Sequence, residues 1–328
     1  MAFSDIIGQQ KQLTVLRSVL ANGRLHHAYL FLGPEGVGKH TVAVAFAKAL
    51  HCNELKDDYC GGCVNCARIA DGNHPDVRII EPLAGKKEIS IQQIRELERD
   101  LNFRSFTGKR KVAIVDPATL MNLSSQNALL KTLEEPPQDS LMILIAPNAG
   151  GLLPTLRSRC LRLSFAPLGR REVAGFLQAH HGMNGSDAEF VAALSMGSIG
   201  AALSLEKDEL NEKRQIWTGM LSSLKAADYH GAMIAAEALA SNRDEALKFL
   251  KWAESWYRDL LIYGVAKDSD ELVNLDMRAE IEQQSADGEV AHALCAISQI
   301  AGAAARIQRN LNRRMVLEKF LFGVVGRR

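Results

Sequence analysis

The sequence predicts an α/β domain with a parallel sheet of phosphate-loop type, then a small helical lid, then an all-α C-terminal bundle. Three observations carry this expectation. "GPEGVGKHT" (33–41) sets a glycine-rich loop between the strand-like "HAYLFLG" and the helical "TVAVAFAKALHC", the context that a phosphate loop requires. Continuous apolar runs alternate with helical patterns as far as residue 166, which indicates a parallel sheet covered on both faces. Beyond that point strand-like runs cease.

Taken in order, residues 9–22 carry Leu13, Val15, Leu16, Val19 and Leu20 at helical spacing and stop at Asn22-Gly23. After the glycine loop, strand-like runs follow at "VRIIEP" (77–82), "KVAIVD" (111–116), "LMILIA" (141–146) and "CLRLSF" (160–165). Helical patterns at 90–101 and 122–135, and a short one through "LLPTLRSR", separate them. The expected domains are therefore 1–166 (α/β), 167–206 (lid, closing on "MGSIGAALSL") and 207–328 (helical bundle).

A chain of 328 residues with 47% hydrophobic and 23% charged residues suits a soluble globular protein of more than one core. The formal net charge of +1 excludes a global basic field, so nucleic acid would be met through a local patch or through partners. "MAFSDIIGQQ" lacks a signal-peptide hydrophobic region, and no run of about 18 apolar residues stands out. The expectation is a cytoplasmic protein whose six cysteines are metal ligands or buried thiols rather than disulfides.

In a phosphate loop, glycines let backbone N–H groups approach the phosphates, and the helix N-terminus adds its dipole. Gly33, Gly36, Gly38 and Lys39 provide this here. The next hydroxyl ordinarily holds Mg²⁺, but that position is His40, and Thr41 is turned about 100° away around the helix. Asp116 ends its strand as a metal-holding acid would, or as a cap for the next turn. Pro117 stands where a water-orienting acid is needed. ATP and Mg²⁺ binding are thus in doubt, and a plain glycine turn is the rival reading. Cys52, Cys60, Cys63 and Cys66 form a C-x7-C-x2-C-x2-C array, which matches a closed, structural four-thiolate zinc site; unrelated buried cysteines or a redox pair are the alternatives. Cys160 and Cys295 stand alone as core thiols.

"FSDIIGQ", "HAYLFLGPEGVGK", the four-cysteine insert, "ISIQQIREL" (89–97), "NALLKTLEEPP" (127–137), "LLPTLRSRC" (152–160) and "WYRDLL" (256–261) occur in that order. On these residues the chain resembles the bacterial clamp-loader subunits of the AAA+ class. The resemblance implies a ring-like hetero-pentamer with delta and tau/gamma subunits, ATP sites between neighbours, and C-terminal helices packed as a collar. Such a ring opens the sliding clamp and places it on primed DNA. It further implies that Arg159 of the "SRC" triplet is offered in trans to a neighbour's ATP, a finger that elsewhere is worth about 10³–10⁵ in rate. Motor subunits keep the hydroxyl, the second acid, a threonine after the fourth strand and an arginine in a "GSxR" lid motif. Here those positions hold His40, Pro117, Ala146-Pro147 and Gly200. The losses favour a non-motor subunit over the alternative, an active tau/gamma-like ATPase.

The C-terminal part reads as amphipathic helices. "NLNRRMVLEKFLFG" (310–323) places Leu311, Met315, Leu317, Leu321 and Phe322 along one side. Trp252, Trp256 and Tyr257 read as core or subunit interface, with a base-stacking platform as the alternative. Arg309, Arg313, Arg314, Arg327 and Arg328 read as a solvated face, and "GKRK" (108–111) as a turn.

Overall fold

The computed structural model describes residues 2–107, 109–204, 207–267, 272–287, 290–309 and 311–326; Gly108, Arg327 and Arg328 lie outside the described residues. The chain divides into two compact units, Met1–Ser204 and Leu205–Arg328.

The first unit is built on a five-stranded parallel sheet of order β2-β3-β4-β1-β5. Its strands are β1 (Ala28–Leu32), β2 (Val77–Ile80), β3 (Lys111–Val115), β4 (Ser140–Ala146) and β5 (Leu161–Ser164). Each expected strand-like run forms a strand, shortened by one or two residues where Asp116, Pro82 or Phe165 leads into a loop. Successive side chains alternate between faces. Tyr29 and Phe31 therefore pack with Leu13, Leu16, Phe46 and Ile143 on one side. Ala28 and Leu30 pack with Ile94, Leu97, Leu129, Leu133 and Leu156 on the other. Helices α1 (Gln10–Asn22), α2 (Lys39–His51), α3 (Val64–Ala70), α4 (Ile91–Asn102), α5 (Leu123–Glu134) and the single turn α6 (Pro154–Arg157) join and cover the strands. Two of their starts are legible: Ser90 and Gln93 form a reciprocal capping box on α4, and Asn122 Oδ1 accepts from Ser125 N on α5. Helices α7 (Arg170–His181), α8 (Gly185–Leu194) and α9 (Ile199–Ser204) complete this unit.

The second unit holds α10 (Lys207–Ser223), α11 (Tyr229–Leu239), α12 (Arg243–Ala266), α13 (Arg278–Asp287), α14 (Val290–Gln308) and α15 (Arg313–Val325). The aromatic residues of α12 are core: Trp252, Trp256 and Tyr257 are buried, and the rings of Trp252 and Trp256 stack at 5.6 Å. They cannot serve as a base-stacking platform. Asp259 is also fully buried, its carboxylate accepting from Val273 N, Asn274 N and Asn274 Nδ2, which meets the cost of burying a charge. On α15 the buried side is Val316, Leu317, Phe320, Leu321, Val324 and Val325, while Leu311 and Met315 are exposed. One 18-residue window, Val290–Ile307, has mean hydropathy 1.3 and the length of a membrane span. Its Ala293, Ala296, Ile300, Ala303 and Ile307 pack in the helical core.

The three tryptophans (217, 252 and 256) all belong to the second unit, so indole emission reports that unit alone. Trp256→Ala is expected to destabilise it by about 3–5 kcal/mol, seen as an earlier urea midpoint of the remaining emission. A midpoint unchanged from wild type would contradict the packing described.

Candidate nucleotide loop, metal centre and exposed arginine

Residues 33–38 leave the C-terminal end of β1, between its neighbours β4 and β5. The loop is drawn tightly against other backbone. A Cβ on Gly33 would stand 2.3 Å from Phe165 O, and one on Gly36 would stand 2.3 Å from Ser198 Oγ. Gly36 also adopts φ 72°, so glycine is required there on both counts. Gly200 N donates to Gly36 O at 3.0 Å, which seats the start of α9 on the loop. Arginine's place in a "GSxR" lid is therefore filled by a residue whose bare backbone touches the phosphate cradle. Gly38 caps α2.

Lys39 is turned inward. Its Nζ donates to the carbonyls of Gly33 and Pro34, both at 2.5 Å, and the residue is 7% exposed. Burial draws its ammonium below the ordinary lysine value, against the pull of Asp116 and Glu35. His40 Nδ1 lies 2.8 Å from Asp116 Oδ2. The hydrogen bond to Asp116 raises the imidazole above its ordinary value, opposed by desolvation and assisted by the charges of Asp116 and Glu81. The two positions that in a motor share one Mg²⁺ thus hold each other. Thr41 is exposed on α2. The turn that follows, Ala118–Leu120, has no side-chain cap, and the Asp116 carboxylate serves His40 instead.

The sulfurs of Cys52, Cys60, Cys63 and Cys66 lie within 4.8 Å of one another. A tetrahedral ion with bonds of about 2.3 Å needs separations of about 3.8 Å, so a small contraction closes the site. Backbone N–H groups already point at the sulfurs: Leu55 N and Cys60 N at Cys52 Sγ, each at 3.4 Å, and Cys63 N at Cys60 Sγ, at 3.3 Å. Burial opposes ionisation of Cys63, but the backbone of Asn53 and Cys66 and the neighbouring sulfurs outweigh it and bring the thiol to about 6. Burial pushes Cys66 up to about 12, reinforced by Cys63 and by the charges of Cys52 and Cys63. Cys52, too, lies below the ordinary thiol value, its burial outweighed by hydrogen bonds from the backbone of Cys60 and Leu55, and a donor set so disposed fits a cation that draws the remaining protons off. The insert is anchored at several points. Asp58 accepts from Phe3 N at 2.9 Å and pairs with Arg17 at 3.0 Å, and Lys109 Nζ donates to Cys52 O at 2.6 Å. Within "GKRK", Lys109 therefore has a structural task and Lys111 opens β3. Cys160 is buried, with its thiol pushed up to about 12 by that burial, while Cys295 is half-buried.

Arg159 sits just before β5, whose Leu161 pairs with Tyr29 near the start of β1. The nucleotide loop leaves the other end of β1, so the length of the strand, about 16 Å for five residues, separates the two. Arg159 Nη2 donates to Glu134 Oε1 at 2.6 Å and Nη1 to Thr155 O at 2.8 Å. The Arg159 side chain remains one-third exposed. The structure thus gathers Gly33, Gly36, Gly38, Lys39 and Asp116 at one edge of the sheet and sets Arg159 at the opposite edge. Sequence reasoning missed the His40–Asp116 pair, the inward turn of Lys39, the seat of α9 on Gly36 and the Glu134 partner. Only the first left a trace, as a histidine at the hydroxyl position of a loop whose distant acid was retained.

Residues 8–169 match the family model described as DNA polymerase III, delta subunit, and residues 212–324 match the one described as DNA polymerase III, delta subunit, C terminal. The delta-prime subunit of DNA polymerase III from Pseudomonas aeruginosa is 33% identical over 302 residues, covering 90% of this chain and 90% of that one. DNA polymerase III subunit tau from Escherichia coli is 35% identical over 209 residues, covering 62% of this chain but 32% of its own length. The crystal structure of a DNA polymerase III gamma subunit-related protein from Thermotoga maritima has 19% identity and a TM-score of 0.43, covering 96% of this chain and 99% of that one.

The His40 imidazole is expected to titrate with a midpoint above about 6.5, read by NMR and assigned by the signal lost in His40→Asn. Asp116→Asn should bring it down. Since the folded value is raised, the pair's contribution to stability is complete below about pH 6.5 and is lost as pH climbs through the folded value. A midpoint at or below 6.5 would sink this account of the pair.

Proposed function

For this chain, which belongs to the delta-prime family of DNA polymerase III clamp-loader subunits, we propose a non-motor role in which Arg159 is presented to a neighbouring subunit's ATP. The observation that carries the proposal is the separation of Arg159 from the chain's own loop by the full length of β1. An arginine at that edge cannot reach the loop of its own sheet, but it can face the loop of a second subunit. There its positive charge would offset charge on the transferring phosphoryl group.

The chain's own loop is built for shape. With Lys39 directed at carbonyls of the loop, His40 bonded to Asp116, and Pro117 unable to orient water, nothing completes a hydrolytic site. The partners proposed are the delta and tau/gamma subunits of the loader, in a hetero-pentamer. The sliding clamp and primed DNA would be met through that complex, in the cytoplasm. The helical region 207–328 would serve as the collar that joins subunits.

Zinc is the proposed ion for Cys52, Cys60, Cys63 and Cys66. Four sulfurs leave no open coordination position, so its chemistry would be structural. Its apparent binding energy, about 10–16 kcal/mol in isolated zinc modules, would order the insert between α2 and α3.

Purified alone, with Mg²⁺ and saturating ATP, the chain should show no turnover above background; turnover abolished by Lys39→Ala would make it a motor. In the reconstituted loader, Arg159→Ala should leave assembly intact and slow ATP hydrolysis by at least about tenfold, a fraction of the effect of a lost finger at a single site. Unchanged hydrolysis would remove Arg159 from the proposal. One zinc per chain is expected by elemental analysis, and Cys63→Ser with Cys66→Ser should lose both the metal and helical circular dichroism from the insert. A fully folded, metal-free variant would refute the structural-zinc reading.

A further inference from the structure

We infer that Glu134 is a positioning residue that fixes the pose in which Arg159 is offered, an inference that rests on the reading of Arg159 as a group acting in trans. Glu134 is the last residue of α5. Its carboxylate takes Arg159 Nη2 at 2.6 Å while Thr155 O takes Nη1 at 2.8 Å. Two acceptors on different nitrogens fix the plane of a rigid guanidinium, as a single contact would not.

The rest of α5 is built to hold the same segment. Gln126, 6% exposed, donates to Met121 O and Gly151 O, each at 3.0 Å, and accepts from Leu153 N at 2.8 Å. It thereby ties α5 to the loop that opens α6. Beneath α6, Leu156 is fully buried against the cluster that contains Leu129 and Leu133 of α5. The backbone around Arg159 is therefore held from α5 at one end by Gln126 and below by Leu156. Glu134 completes the arrangement at the side chain.

Stability does not account for the pair. The partners are 33% and 50% exposed, and ion pairs at such sites add little to folding. Orientation does account for it. A free arginine samples many rotamers, and a group already in place loses less freedom when the phosphates arrive. The one-third of the side chain left exposed is what a neighbour's phosphates would meet. Their greater negative charge can engage the outward N–H groups while Glu134 retains its own.

The test is steady-state ATP hydrolysis by the reconstituted loader carrying this chain as wild type, Glu134→Gln, Arg159→Ala or the double variant. Glu134→Gln is expected to lower kcat about three- to tenfold, with the KM for ATP and the chain's Tm unchanged. Glu134→Asp should fall between it and wild type. The double variant should be no slower than Arg159→Ala alone, because Glu134 acts only through the arginine. Full kcat in Glu134→Gln, beside a slow Arg159→Ala, would overturn the positioning role and leave the trans reading standing. Full kcat in Arg159→Ala would instead overturn the reading beneath it. A faster Glu134→Gln would show a restraint, and a double variant slower than Arg159→Ala would show an action elsewhere; either overturns the inference.

Discussion

Everything functional in the first unit depends on the parallel pairing of β1 between β4 and β5. Parallel strands send all their C-terminal ends to one edge of the sheet and all their N-terminal ends to the other. The glycine loop, Asp116 and Ala146-Pro147 leave the first edge. Glu134 and Arg159 approach the second, on segments that feed β4 and β5. The glycine loop and the exposed Arg159 thus lie on opposite edges, which is the placement the proposed role in trans requires. The same geometry separates the two within one chain.

The loop is held in shape by contacts within the chain itself. Gly33 and Gly36 remain necessary because Phe165 O and Ser198 Oγ lie where a Cβ would stand. Its lysine remains because carbonyls of the loop converge on it. His40 and Asp116 are joined directly by a hydrogen bond. Each contact pairs polar or charged groups that would otherwise be partly buried without partners, a state that folding tolerates poorly.

Polar anchoring recurs at the opposite edge. The cysteine insert ties itself to the N-terminal segment through Asp58 and to the segment before β3 through Lys109. There too, a short element too small for a core of its own is held by polar contacts to the sheet domain.

The sequence by itself determined the order of strands and helices along the chain, the phosphate-loop frame and the cysteine set, because each rests on local period or spacing; the family came from the resemblance of its motifs to known members. Periods of 2 and 3.6 residues, x2 spacings between cysteines and glycines at a tight turn need no distant partner to be read. It also located the damaged positions, His40 and Pro117. Only the tertiary structure decided what those residues do instead. His40 meets Asp116 across 76 positions, and Glu134 meets Arg159 across 25; neither separation leaves a periodic trace. The aromatics of α12 could be assigned to the core only once the helices packed around them had been seen. Distances between residues far apart in sequence are set by sheet register and helix packing, and those arise from the sum of many weak contacts that no single segment encodes.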